Sequence, residues 1–419
     1  MKNFVFISIL LFSAQSQISA QESEGLEDFE SLLNNISDIA TKKSLNVDYL
    51  PSVVTVIKAD TYRDAGIRNL GEALNMLPGI QTSVSTIGLT MTTVRGFKNP
   101  NAYLSDKIKI LIDGVAINNE TAGSSHFYMS FPMELIDKIE VLRGPGSTMY
   151  GAGSFYGTVN VITKLGQNKK EDRVSIGVGS YDRISAGANF YGSAGDWQLF
   201  GDGYYQQNDK QLYSVQEKPW SDPESGFSDE AMKDFSIGFT AKNGGLEFLT
   251  RYKKIDSGNF YSFEGQFNPI PEREPSHSDA YLFSQLSYTT DVNDYTVETK
   301  ANFSHRSSSV DANVATVAYV KKKFGKLGIN MEKGFFFTQE IQEQNFELES
   351  IVSVPEFYSN DIMVGLGVRH AKVTHDSYDN SVENAIMQNY DAIVNHDRYG
   401  GFRYREDKEP AFWANPTTR

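Results

Sequence analysis

The chain has 419 residues, a formal net charge of −14 and no cysteine. That charge lacks the basic footprint of a nucleic-acid partner, and the missing cysteines exclude disulfides and thiolate metal sites. Aromatic residues make up 12% of the chain, 22 Tyr and 27 Phe against 3 Trp, a bias that suits strands and membrane-interface belts.

In chain order, the first segment reads as an export signal over residues 1–20. Lys2 supplies a positive start, residues 4–12 are apolar apart from Ser8, and Ile18, Ser19 and Ala20 offer a small-residue cleavage site. The apolar run is shorter than the roughly 20 residues of a spanning helix. Residues 21–46 start acidic and turn weakly apolar, which reads as an extended or loosely helical leader. The segment PSVVTVIK then reads as a strand. Asp60 is placed to cap a short helix that stops at Gly66. Asn69 with Glu72 resembles a capping box, and Leu70, Ala73, Leu74 and Leu77 share one helical face until Pro78 and Gly79. The segment KILIDGVAIN reads as a hairpin turning at Asp113 and Gly114. MELIDKIEVLRG reads as a short helix running into a strand.

Residues 141–164, VLRGPGSTMYGAGSFYGTVNVITK, concentrate glycine in one connection. Gly146 and Gly151 have the spacing of a phosphate-binding loop, but Ala152 and Gly153 stand where Lys and Ser/Thr are needed. No dinucleotide fingerprint fits either, because a strand-like segment follows in place of a helix. Local physics leaves a turn between two strands.

After Lys164 the helical periodicity fades and alternation takes over. Val174, Ile176 and Val178 share a face, as do Phe235, Ile237 and Phe239, then Leu246, Phe248 and Tyr252. Tyr295, Val297, Ala301 and Phe303 repeat the pattern, as do Ile362, Val364, Leu366 and Val368. These predict strands of about 8–12 residues. GSAGD, KNGG and TDVND are short connections, whereas the segments 206–233 and 256–279 are long, polar and aromatic. A soluble β-sandwich also alternates. Export, loop asymmetry and the absence of cysteine together favour an outer-membrane barrel with short periplasmic turns.

Four ordered stretches carry a family resemblance: VVTVIKADTYRDAGIRNLGEALNMLPGI, TTVRGF, ILIDGVAI and IEVLRGPGSTMYGAGSFYGTVNVITK. They resemble the plug of TonB-dependent outer-membrane receptors. The resemblance implies an α+β plug domain over 47–165, followed by antiparallel transmembrane β-barrel strands over 166–419. Its plug marks are Arg95, Gly96, Asp113, Gly114, Arg143, Gly144, Pro145, Gly146, Tyr150, Gly151 and Gly157. Arg95 and Arg143 are expected to face acids of the barrel wall. The implied partners are outer-membrane lipid, a small-molecule ligand of the siderophore, haem or cobalamin class, and the periplasmic coupling protein TonB. Within the leader, the candidate segment for pairing with TonB is Ile36, Ser37, Asp38, Ile39, Ala40 and Thr41. An amphipathic leader turn is the competing reading of those six.

No catalytic motif, cofactor or metal site is legible. The six histidines are scattered, and none forms H-E-x-x-H. His126, in a stretch expected at the plug apex, is the candidate ligand contact, with a plain loop histidine as the alternative. His370 and His375 are expected to flank a loop. The family barrel has 22 strands around a plugged lumen, whereas residues 166–419 offer about ten. The segment DKEPAFWANPTTR reads as loop, not as a closing strand. The expectation is therefore an incomplete barrel from a truncated receptor, with a binding-only or vestigial outer-membrane protein as the alternative.

Overall fold

The structure is a computed structural model. It describes residues 36–37, 45–46, 53–84, 89–94, 107–146, 150–170, 172–209, 214–215, 226–227, 230–258, 276–315, 335–357 and 360–376. The expected export signal at 1–20, residues 38–41, Arg95, Gly96 and the segment from 377 onward lie outside the described residues. In the leader, β1 (Ile36–Ser37) pairs antiparallel with β2 (Leu45–Asn46). No helix among the described residues is long and apolar enough to cross a membrane, which says nothing about strands.

The α+β unit begins with β3 (Val53–Lys58), α1 (Ala59–Asp64) and α2 (Leu70–Asn75). Asp60 does not cap α1. Lys58 holds the cap position without a side-chain bond, and Asp60 sits in the first turn, 2.7 Å from Arg63. The cap of α2 is as expected: Asn69 Oδ1 accepts from the Glu72 N–H at 2.9 Å. Leu70, Ala73 and Leu74 are then fully buried on one face. β4 (Ile80–Val84) and β5 (Thr90–Val94) form a hairpin.

β6 (Ile108–Ile112) and β7 (Val115–Ala116) turn at Asp113, φ 49°, and Gly114, φ 80°. A 3-10 turn over Met133–Leu135 leads into β8 (Ile136–Arg143), and β9 (Gly157–Thr163) follows the glycine-rich connection. Sheet order is β3-β8-β9-β6-β7, with β6 parallel to β9 and the other pairs antiparallel. Gly157 faces Arg143 in register, and a Cβ there would stand 2.7 Å from the Leu142 carbonyl oxygen. Only glycine lets β9 start that close to β8.

The second sheet is an antiparallel meander. Its strands are β10 (Arg173–Val178), β11 (Ile184–Ala194), β12 (Trp197–Asn208), β15 (Met232–Asn243), β16 (Leu246–Gly258), β17 (Ser276–Val292), β18 (Tyr295–Ala315), β19 (Phe335–Phe357) and β20 (Asn360–Asp376). A small hairpin, β13 (Ser214–Val215) with β14 (Gly226–Phe227), interrupts the connection from β12 to β15. The sheet thus has nine strands among the described residues, against about ten expected.

Later strands are longer than alternation predicts: β17 has 17 residues, β18 has 21 and β19 has 23. Beyond Phe303, β18 continues through SHRSSS, which is polar on both faces, so hydrophobic alternation cannot mark that extension. His370 lies well inside β20, and His375 is next to its last residue.

One core joins the two units. Ile110, Ile112, Phe131 and Ile139 cluster with Tyr204, Leu249, Tyr281 and Phe283 of the larger sheet. The opposite face of that sheet is apolar and bare. Ile176 is 79% exposed and Leu366 82%, with Phe235, Ile237, Phe239 and Phe303 between them. Such a face belongs against lipid. Among the described residues, β10 and β20 are each paired on one side only, so the sheet is an arc and not a closed barrel.

Candidate functional site

The inner face of the arc carries its charge where it meets the plug. Period-2 geometry puts Asp202 of β12, Asp234 of β15, Arg251 and Lys253 of β16 and Asp279 of β17 on that face, and all are buried. Gly238 lies between Asp202 and Arg251 in register. Having no side chain, it lets the guanidinium cross β15 to reach Asp202 with two parallel bonds, 2.9 and 2.7 Å. Lys253 Nζ pairs with Asp234 Oδ1.

The plug brings small polar groups and rings to these charges. Ser130 Oγ donates to Asp234 Oδ2 at 2.6 Å. Arg251 stands 5.2 Å from the centre of the Phe131 ring, and Arg306 of β18 stands 5.3 Å from that of Phe127. Glu343 of β19 accepts the backbone N–H of Glu120 at 3.1 Å and that of Thr121 at 3.0 Å, and also the Thr121 hydroxyl. Arg369 of β20 pairs with Glu120. Asn119 stiffens this loop, because its Oδ1 accepts from the N–H groups of Ala122 and Ser124, both at 2.9 Å. Residues 119–131 therefore dock on strands β15 to β20.

Asp279 is a second junction. Arg306 Nη2 donates to its Oδ1 at 2.6 Å, and His126 Nε2 lies 3.2 Å from its Oδ2, an oxygen that His277 Nε2 also faces. His126 sits in a 3-10 turn (His126–Tyr128) and is buried, not on an open apex loop. Burial pushes its pKa down, against the Asp279 bond that pulls it up.

At the hairpin end of the plug, Asp113 accepts from the Thr163 N–H and hydroxyl, both at 2.7 Å. Burial still raises its pKa to about 6, more than Arg251 and the Thr163 bonds lower it. Beside it, a cavity of about 860 Å³ separates the plug from the turn ends of the wall, with Lys109, Asp113, Glu247, Lys300, Glu349 and Arg369 on its lining. Burial, and next the Arg369 charge, push the Lys109 pKa down.

The other sequence-derived marks fall inside the plug. Among the described residues, Arg143 hydrogen-bonds the Thr55 hydroxyl of β3 at 3.0 Å, and not an acid of the wall. The reason is register: Val53 of β3 faces Arg143 directly, so the guanidinium spans its own sheet. Tyr150 packs with Val54 on Leu142. Gly144, Pro145, Gly146 and Gly151 shape the connection from β8 to β9, and Gly144 has φ 122° and Gly151 φ 69°. The arginines at the plug–wall contact are the wall's Arg251, Arg306 and Arg369, which sequence reasoning missed along with Asp202, Asp234, Asp279 and Glu343. Their signal was present as polar residues at every second position, but a polar face reads as solvated until a plug covers it.

Residues 46–158 match the family model described as the TonB-dependent Receptor Plug Domain. A vitamin B12 transporter of Vibrio vulnificus is 33% identical over 128 residues, 30% of this chain and 20% of that protein. The ferric-pyoverdine 358 receptor of Pseudomonas putida is 29% identical over 224 residues, 50% of this chain and 26% of that protein. The solved ferric yersiniabactin uptake receptor of Yersinia pestis superposes with a TM-score of 0.56 at 16% identity, covering 79% of this chain and 50% of that one. The matched stretches thus span half or less of each relative's length. Residues 46–158 thus match the plug of TonB-dependent receptors, and here that plug is seated on an outward-apolar antiparallel sheet.

Proposed function

We propose that the chain serves energised uptake of a scarce small ligand, with a ferric siderophore as the favoured class and cobalamin or haem as alternatives. The observation that carries this reading is the plug itself. It is held against the wall by buried polar contacts, so a barrel completed around it is obstructed at rest and is opened only by work. We further propose residues 1–20 as export signal, 21–46 as periplasmic leader, 47–165 as plug and 166–419 as barrel strands. Ile36, Ser37, Asp38, Ile39, Ala40 and Thr41 are proposed as the segment that pairs with TonB. An extended leader has the free backbone edge that strand addition needs. Within it, β1 is already paired with β2, so that pairing opens when TonB takes the strand.

The test uses cells lacking other receptors, given labelled ferric siderophores, cobalamin and haem, with and without TonB. Accumulation of one ligand that stops without TonB supports the reading. Deleting residues 36–41 should abolish accumulation and leave surface binding intact, and accumulation at the parental rate would remove this segment from the mechanism. The arc left open among the described residues favours a second reading, a binding-only outer-membrane protein. Surface binding with no TonB-dependent accumulation would establish it.

A further inference from the structure

Asp279 gathers an unusual set of donors on one oxygen. Its Oδ1 is taken by Arg306 at 2.6 Å. Its Oδ2 faces two imidazole nitrogens at once, Nε2 of His126 at 3.2 Å and Nε2 of His277. Ligand atoms of the three residues lie within 4.8 Å of one another, and all three residues are buried. Tetrahedral zinc holds N and O ligands at about 2.0–2.2 Å, which puts neighbouring ligand atoms roughly 3.3 Å apart. The spacing of His126 and Asp279 matches that edge, and His277, which stands closer to Oδ2, moves back by less than about 1 Å to meet it.

The surroundings fit a metal centre as well. His126 Nδ1 lies 3.1 Å from Ser124 Oγ, a contact that fixes which ring nitrogen points at the carboxylate. Asn119 holds Ser124 in turn through its backbone N–H. Arg306 on Oδ1 leaves Oδ2 for one-oxygen ligation. Arg306 also faces Glu343 at 3.7 Å, so the cluster sets two carboxylates against one guanidinium. The remaining negative charge favours a cation.

We propose that His126, His277 and Asp279 form a binding site for one divalent transition metal of the zinc type, with its fourth position open to water. Two imidazoles and one carboxylate suit zinc, copper or nickel, whereas magnesium and calcium require oxygen donors. His126 belongs to the plug, and the other two belong to β17 of the wall. The ion therefore clamps the plug to the wall through bonds on both sides. This inference rests on side chains in the plug–wall contact and holds whichever ligand the receptor carries.

The experiment takes the full chain folded in detergent, strips it with a chelator, and titrates it with zinc by calorimetry, with magnesium as control. One zinc per chain and no magnesium response are expected. His277→Gln should weaken zinc binding by at least about 100-fold, the upper range seen for losing even an outer-shell partner. His370→Gln, on β20 away from the cluster, should leave it unchanged. Cobalt loading should give the visible absorption of a tetrahedral centre in the parent and lose it in His277→Gln. Zinc should also slow tryptic cleavage of the plug in the parent alone. Asp279→Asn breaks the buried Arg306–Asp279 ion pair and risks misfolding, so the deciding variant is His277→Gln, which leaves that pair in place. Zinc binding equally tight in the parent and His277→Gln, or no stoichiometric zinc in the folded parent, would reduce the cluster to hydrogen bonds and overturn the proposal.

Discussion

Asp202 and Arg251 have no exposed side-chain surface, so their pairing is set by what desolvation leaves over. Removing one partner from such a pair costs about 3–5 kcal/mol, while replacing both with apolar residues is often close to neutral. Asp202→Asn should therefore lower unfolding stability by about that much, and Asp202→Leu with Arg251→Met should recover most of it. Urea unfolding of the folded receptor reads both, and equal losses in the single and double variants would contradict the account. Asp113 gives a pH signature of the opposite kind. Its folded pKa is raised from 3.8 to about 6. Its contribution is complete below the unfolded value and is lost as pH rises through the folded one, about 3 kcal/mol in all. Between about pH 4 and about pH 7 the stability of the parent should fall relative to Asp113→Asn. A difference that stays constant with pH would place Asp113 in a less buried setting.

Among elements, those with local chemistry were legible. The Asn69 cap, the apolar face of α2, the Asp113–Gly114 turn and the β8–β9 pair follow from rules that act within a few residues. The α1 start was misread because Asp60 has a closer use, its ion pair with Arg63. The inner wall was not legible, since no residue of Asp279's cluster has a partner nearby in sequence except His277. A glycine inside a strand was equally mute. At Gly238 a Cβ would stand 2.5 Å from Leu165 Cδ1 of the plug side and 3.0 Å from Arg251 Cζ. Gly238→Val should loosen the plug and speed its tryptic cleavage. Gly203→Ala, where the nearest atom is the Ser236 carbonyl oxygen at 3.9 Å, should not. The same cleavage rate in both variants would show that β15 does not approach the plug this closely.

For the whole molecule, three surfaces have three solvents. The outer face of the arc is apolar and meets lipid, the inner face is charged and meets the plug, and the charged cavity near the turns meets water. An edge strand in hydrocarbon leaves backbone groups unpaired at several kcal/mol each, so β10 and β20 need strand partners in the membrane. The central claim is that residues 119–131 of the plug sit on the inner face of β15 to β20. A cysteine-free chain makes a direct test possible. Ser130 and Asp234 are in hydrogen-bond contact, whereas Phe235, the next residue, points outward and is 40% exposed. Cysteines at Ser130 and Asp234 should join through a short thiol cross-linker in outer membranes, giving a shifted band that holds the plug through proteolysis and blocks energised uptake. Cysteines at Ser130 and Phe235 should not join. Absence of the first cross-link, or equal yield of both, would contradict the seating of the plug.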